Sequence, residues 1–454
     1  MTMMPVTLEQ IARVTGGTFV GDEGEKHTRI TGVEKDNRQI EKGNLFVCIQ
    51  GERVDGHGFA QAAFAAGAAC CLAEKPVEGG PYVLVDSTLE AIKALAAYYR
   101  SLFSIPVVGI IGSVGKTTAK EMTAAVLGEK FRVLKTEGNL NNELGVPLML
   151  LKLRQEHTAA VIEMGISDFG EMSRLGAMVR PTAVVMTTIG YCHLENLGDL
   201  DGVLRAKSEV FAFMDGGTAV VNGDDEKLAA MDPGREKITF GIGPDNDYRA
   251  ENVTAQGTAC VELDVAYPKG RFHVSVPAFG SHIPLAVLPA AAIGHRLGMT
   301  DEEIRRGILN YAVVGGRAHV IDTGYIRILD DCYNANPNSV TAALLSLSAL
   351  SGRKVAILGD MKELGRDSES FHREIGVLAG KCGVDALICC GDEANSYYKG
   401  LIASGSEILA WHFPMKDALL SVLPRLIRKG DNVLVKASHS MHFEEITREL
   451  EKLK

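Results

Sequence analysis

The sequence predicts an α/β protein of three domains: a small α/β domain over residues 1–103, a central domain with a helix-flanked parallel sheet over 104–316, and a Rossmann-like α/β domain over 317–454. Three observations predict this. From residue 104 onward apolar strand-like runs alternate with helix-like segments, the pattern of a parallel sheet covered on both faces. The alternation breaks at Gly315-Gly316-Arg317 and then restarts. At 454 residues the chain is too long for one core, since domains average about 150 residues.

The first domain mixes short strands, such as Asn44 to Ile49, with an alanine-rich helix over residues 60–69 and a second helix over 88–99 that places apolar residues at helical spacing. Ser104-Ile105-Pro106 marks its boundary. In the central domain the strands are read at 107–111, 159–163, 183–188 and 218–222, with ligands expected at their carboxyl ends. The stretch 248–282 reads as antiparallel strands, an expected β appendage to that domain. The last domain repeats the alternation with strands at 325–329, 354–358, 386–390 and 432–435.

Acidic residues exceed basic ones by 57 to 47, and this net charge of -10 argues against a broad nucleic-acid surface. Nine cysteines without a C-x-x-C pair, several inside apolar runs, read as free thiols in a reducing compartment. With no basic start or apolar leader at the N-terminus and no run of about 18 apolar residues, the expected location is the cytoplasm.

Gly109 through Thr118 (Gly-Ile-Ile-Gly-Ser-Val-Gly-Lys-Thr-Thr) put a glycine-rich turn between an apolar strand and a helix. Such a turn lets backbone N–H groups and a helix N-terminus approach a polyphosphate, with Lys116 as a cation and Thr117 as a magnesium ligand. Gly112, Ser113, Val114, Gly115 and Thr118 complete the cradle. A strict G-x-x-x-x-G-K-T pattern wants glycine at position 110, which is isoleucine here. Glu163 ends a strand and reads either as a cap or as the acid that holds magnesium in phosphate-loop proteins. His193, just past another strand end, reads as a loop residue or a metal ligand; Lys207, on a helix, reads as a solvated charge or ion-pair partner.

Gly112-Ser113-Val114-Gly115-Lys116-Thr117-Thr118, Glu163-Met164-Gly165, His193-Leu194-Glu195 and Ala206-Lys207-Ser208-Glu209 occur in the order seen in the Mur ligases, and the chain resembles that family of ATP-dependent amide ligases of peptidoglycan synthesis. The strings Thr136 to Pro147, Asp330 to Pro337 and Leu358 to Gly365 resemble the branch that joins D-alanyl-D-alanine to a UDP-N-acetylmuramoyl-tripeptide. Asp36-Asn37-Arg38 and Gly51 to Phe59 resemble its nucleotide-sugar domain. The resemblance implies ATP at the cradle, with Lys116 on the terminal phosphate and Thr117, Glu163 and His193 on magnesium ions, and Lys207 carbamylated to support one of them. It implies catalytic roles for Lys116, His193 and Lys207. Arg317 and Asp331 match contacts to ATP from the third domain. Thr136, Asn139 and Asn142, with Asp36, Asn37 and Arg38, match the muramoyl-peptide side, and Asn334, Asn336 and Asp360 lie where the acceptor dipeptide is expected. The expected enzyme is a monomer that needs neither nucleic acid nor membrane insertion. A related ligase of the same plan, another Mur ligase or a folylpolyglutamate synthase, is the alternative, against which the Asp330 to Pro337 string argues.

The chain departs from the family pattern in three places. Asn37 stands where the family shows serine, Ile283 and Ala286 stand where it shows asparagines near the adenine, and His439 replaces an arginine. None of these touches the phosphate, metal or lysine positions.

Overall fold

The computed structural model describes residues 3–51 and 54–454; Glu52 and Arg53 of the Gly51 to Phe59 string lie outside the described residues. Three sheets follow one another along the chain. The first orders its strands Thr18–Val20, Tyr82–Leu84, Cys70–Ala73, Asn44–Val47, Gly32–Glu34, all parallel pairs except the antiparallel edge formed by Thr18–Val20. The helix expected over 60–69 stops at Ala66, because Gly67 turns left-handed (φ 108°) and its N–H caps the carbonyls of Ala63 and Phe64. The second helix, Thr88–Ser101, starts on Ser87, whose side chain accepts from the Glu90 N–H. Its buried face (Ile92, Leu95, Ala96, Tyr99) joins one apolar cluster with Val107, Ile162 and Val184 of the central domain. The first two domains therefore share a core.

The central sheet has nine strands, in the order Gly270–Val276, Cys260–Tyr267, Tyr248–Gln256, Glu236–Gly241, Thr218–Asn222, Ala183–Met186, Val107–Ile111, Ala159–Glu163, Val133–Lys135. The antiparallel stretch expected as an appendage is a continuation of this sheet, because Tyr248 and Arg249 pair in parallel with Phe240 and Gly241 before the chain turns back. Six strands from Val133–Lys135 to Glu236–Gly241 are parallel, so their carboxyl ends line one rim. Strands Val107–Ile111, Ala159–Glu163, Ala183–Met186 and Thr218–Asn222 are buried along their whole length, as helices on both faces require.

The third sheet orders its strands His319–Asp322, Arg327–Asp330, Asn432–Lys436, Lys354–Gly359, Ala386–Cys390, Leu409–Phe413. Only the first pair is antiparallel. Arg327–Asp330 begins two residues later than the expected 325–329, because Thr323 and Gly324 (φ 76°) form the hairpin turn, with the Thr323 N–H donating to Ile326 O. Its two clusters of buried residues are its own apart from Phe279, which the central domain lends. Among the described residues no helix is long and apolar enough to cross a membrane, and all nine cysteines are free.

Candidate functional site

The glycine-rich turn sits where the sequence places it, between the strand Val107–Ile111 and the helix Lys116–Gly128. Ile110 is still a buried strand residue, paired with Glu163 and Val185, so a glycine there has no turn to serve. The turn begins at Gly112 (φ 138°), where an added Cβ would fall 2.0 Å from Thr187 Oγ1, and ends at Gly115 (φ 82°), the helix N-cap. Ser113 N–H donates to Thr188 O (2.9 Å) and Val114 N–H to Thr188 Oγ1 (3.2 Å), tying the loop to the neighbouring strand end. Lys116 Nζ arches back to Gly112 O at 2.9 Å. Gly112→Ala is expected to destabilise the fold by about 1–3 kcal/mol through strain and overlap. Urea denaturation checks this against Gly128→Ala, where an added Cβ meets nothing within 4 Å.

Glu163 is the polar node behind the cradle. It is 1% exposed at the tip of its strand; Oε2 accepts from Thr117 Oγ1 at 2.9 Å and Oε1 from Asn141 Nδ2 at 2.8 Å. Its N–H donates to Thr136 Oγ1 at 2.9 Å, and Lys120 Nζ donates to Thr136 O at 2.8 Å, so Thr136 supports the node from below. The paired oxygen donors of Thr117 and Glu163 are hard ligands beside a phosphate loop and fit a magnesium ion.

The other two expected metal ligands take no part in the hydrogen bonds of that pair. His193 takes a left-handed backbone (φ 52°) at the start of a short helix, and its Nδ1 lies 2.7 Å from Glu363 Oε2 of the third domain. Lys207 is 1% exposed, and among the described residues its ammonium makes no hydrogen bond or ion pair. Burial pushes it down to about 8; Cys192 opposes this, and Lys116 adds a still smaller push downward. Neither the solvated charge nor the ion-pair partner read from the sequence describes it. Among the described residues no three His, Cys, Asp or Glu side chains form a ready metal cluster; Nδ1 of His193 lies against Glu363, and Lys207 presents an amine.

A cavity of about 700 Å³ opens between the central and third domains. On one wall stand Ser113 to Lys116, Thr118, Asn141, Asn142, Glu163 and His193; on the other Arg317, Asp331, Asn334, Asn336, Glu363 and Lys436. Arg317 lies over the Tyr333 ring with its guanidinium carbon 3.9 Å from the centroid. Asp331 Oδ2 accepts from the buried Lys436 at 2.6 Å, and Oδ1 accepts from the Ala318 N–H at 3.1 Å. Asn338 Oδ1 of the third domain accepts from Tyr191 N–H at 3.2 Å, close to the cradle. One end of the cavity is apolar, lined by Phe279, Leu329, Ala343 and Leu434, with the His282 imidazole among them. Burial pulls His282 below the usual histidine range, which keeps a ring donor and a ring acceptor together. Ile283 and Ala286 are buried and do not line the cavity.

The residues expected on the substrates divide. Asn142 lines the cavity while its Oδ1 accepts from the N–H groups of Leu144 and Gly145; Asn334 lines it, and Asn336 lines it as the N-cap of the helix Pro337–Ser348. Thr136 is fully buried, and neither it nor the exposed Asn139 lines the cavity. Asp360 is buried beneath it, accepting from Ala394 N–H and pairing with Lys362 at 2.8 Å, so it braces a loop. Asp36, Asn37 and Arg38 form a short turn in the first domain away from the cavity lining; the Arg38 guanidinium at 2.6 Å holds the Asp36 carboxyl down to about 2. Sequence reading missed Asn141, Tyr333, Glu363 and Lys436. Asn141 and Tyr333 lay next to the chosen Asn142 and Asn334, and Glu363 lay three residues beyond the chosen Asp360 in the same string.

Comparison with known proteins agrees along the whole chain. The family described as Mur ligase family, catalytic domain matches residues 29–100, Mur ligase middle domain 110–294, and Mur ligase, glutamate ligase domain 316–439. The chain is 35% identical to the UDP-N-acetylmuramoyl-tripeptide–D-alanyl-D-alanine ligase of Bacillus subtilis over 99% of both proteins. It is similar to a crystal structure of MurF from Acinetobacter baumannii, with a TM-score of 0.91, 30% identity and both chains fully covered. It is also similar to the MurF ligase of Thermotoga maritima in complex with ADP, with a TM-score of 0.82 and 28% identity over 93% of this chain and 97% of that one.

Proposed function

The chain belongs to the Mur ligase family, and we propose that it carries out that family's chemistry in the cavity between its second and third domains. It is an ATP-dependent ligase that joins D-alanyl-D-alanine to UDP-N-acetylmuramoyl-tripeptide. The observation that supports the siting is the convergence of Lys116, Glu163, Arg317 and Asp331 on one space, with buried Thr117 hydrogen-bonded to Glu163.

A carboxylate is a poor electrophile and must be activated. The terminal carboxylate oxygen of the tripeptide attacks the γ-phosphorus of ATP; the bond to ADP breaks and an acyl phosphate forms. The amine of D-alanyl-D-alanine then attacks the acyl carbon, the C–O bond to phosphate breaks, and the amine releases a proton as the amide forms. Bringing the carboxylate and the polyphosphate together costs several kcal/mol unless cations stand between them. Lys116 supplies one at the γ-phosphate, and Arg317 approaches from the opposite wall. Thr117 and Glu163 would hold a magnesium ion, which supplies positive charge to the phosphate oxygens. Lys207 is the carbamylation site in this reading: a buried amine whose affinity for protons is lowered attacks carbon dioxide and loses a proton, turning a cation into an anion that would support a magnesium ion. The third domain excludes water that would otherwise hydrolyse the acyl phosphate. The apolar residues Phe279, Leu329, Ala343 and Leu434, with His282, suit the adenine without the two missing asparagines. The reading also makes the protein a cytoplasmic enzyme acting as one copy.

A donor and acceptor panel tests it. Nucleotide-linked tripeptide, ATP and D-alanyl-D-alanine together should give the pentapeptide by product mass, and phosphate release should need all three. Equal release with glutamate or a single amino acid as acceptor would overturn the assignment.

A further inference from the structure

We propose that Glu363 is a positioning residue that makes assembly of the reaction centre depend on docking of the third domain, its carboxylate reaching across the cavity to hold the imidazole of His193. The two side chains meet at 2.7 Å between Glu363 Oε2 and His193 Nδ1, one from each wall of the cavity. Among the described residues neither ring nitrogen of His193 has another partner, and Glu363 has none besides His193.

Both residues adopt left-handed backbone, φ 52° at His193 and φ 64° at Glu363, a conformation that is uncommon for residues with side chains and persists where the surroundings enforce it. The surroundings do so here. The loop bearing Glu363 follows the strand Lys354–Gly359 and is pinned at its base: Met361 N–H donates to His372 Nε2 at 2.9 Å, Lys362 N–H to Ser438 Oγ at 2.8 Å, and Lys362 Nζ bridges Asp360 and Glu393 at 2.8 Å each. Gly365 packs against Glu195 two residues beyond His193, where an added Cβ would lie 3.6 Å from the Glu195 backbone. Glu363 is thus a stiff tip aimed at one partner.

An ordinary surface ion pair between flexible side chains contributes little. A carboxylate that accepts from one imidazole nitrogen does something else: it selects the tautomer, fixes the ring plane and leaves the other nitrogen basic and directed. Here that other nitrogen is Nε2 of a residue lining the cavity with Lys116 and Glu163. Because the carboxylate belongs to the third domain, the imidazole is oriented only when that domain is docked.

The inference rests on the ligase reading for its kinetic arm alone. The full-length Glu363→Ala and Glu363→Gln variants would be compared with the wild type by steady-state kinetics and by NMR of ¹⁵N-histidine-labelled protein saturated with ATP analogue, the His193 signals assigned from His193→Gln. Glu363→Ala is expected to lower kcat about 10- to 100-fold with the KM for ATP within about twofold, the split expected of lost positioning. It should also abolish the hydrogen-bonded Nδ1–H signal, and Glu363→Gln, which keeps an acceptor oxygen, should fall between. Glu363 is 61% exposed, so both variants should melt as the wild type does. An unchanged kcat in Glu363→Ala, or an unchanged Nδ1–H signal, overturns the proposal. If the wild type itself made no product, the ligase reading would fail while the NMR arm still decided whether Glu363 holds His193.

Discussion

Lys207→Ala is expected to remove ligation almost completely while leaving the protein folded enough to bind nucleotide. The side chain is closed off from solvent, lies near Lys116 and, among the described residues, has no counter-charge. If it serves as a carbamate, the substitution deletes one negative charge next to a metal. A unit charge about 4 Å away is worth about 4 kcal/mol at the effective dielectric of a partly buried site. At about 1.4 kcal/mol per tenfold in rate, the loss is about 1,000-fold. The alanine also leaves a gap the size of the lysine stem, into which a small carboxylate can diffuse. Acetate, propionate or bicarbonate should therefore restore part of the rate, whereas chloride at equal ionic strength should not. Full activity of the variant without any additive would refute the role. A lowered melting temperature with normal nucleotide binding would be expected from the cavity alone and leaves the rescue measurement decisive.

Lys116→Met is the second large effect, and it differs in kind. The methionine keeps the length and apolar stem but removes the charge that faces the γ-phosphate in the proposed mechanism. Removing one preorganised donor from developing charge lowers kcat by about 10²- to 10³-fold. The loss should fall on phosphoryl transfer, so phosphate release and amide formation should drop together, and no small carboxylate should rescue either. Rapid-quench measurement of ADP formation with tripeptide but no acceptor isolates that step. A variant that still formed ADP at the normal rate, and failed only with acceptor present, would place Lys116 elsewhere in the cycle.

The parts of the site that were legible in the sequence are those whose signal is short. Residues 112–118 need only a strand, a turn and a helix start within a few positions, and the backbone follows them closely. The central strands were readable because burial on both faces leaves continuous apolar runs. Strands such as Leu409–Phe413 and His319–Asp322 escaped because they lie at sheet edges, half covered, with mixed polarity. The ribbon over 248–276 was legible as antiparallel strands, yet its attachment depended on two residues, Tyr248 and Arg249, lying beside a strand that was not read. Pairings over long separations left no local trace: His193 with Glu363, or Thr136 beneath Glu163, are chosen by tertiary packing. Thr136 and Asp360 illustrate the same limit from the other side. Both belong to strings that resemble substrate sites, and both spend their polar atoms on the frame that holds neighbouring residues in place.

The unequal sharing of cores has a kinetic consequence. The first two domains are fused through common apolar packing, while the third keeps its interior largely to itself and meets them through a few polar contacts, the inserted Phe279 and the Tyr191–Phe371 ring pair. Whatever fills the gap is gripped from both sides, and nothing as large as a finished peptide can leave until the grip is undone. A domain swing of that kind takes micro- to milliseconds, and it is the step by which product release can come to set the working rate.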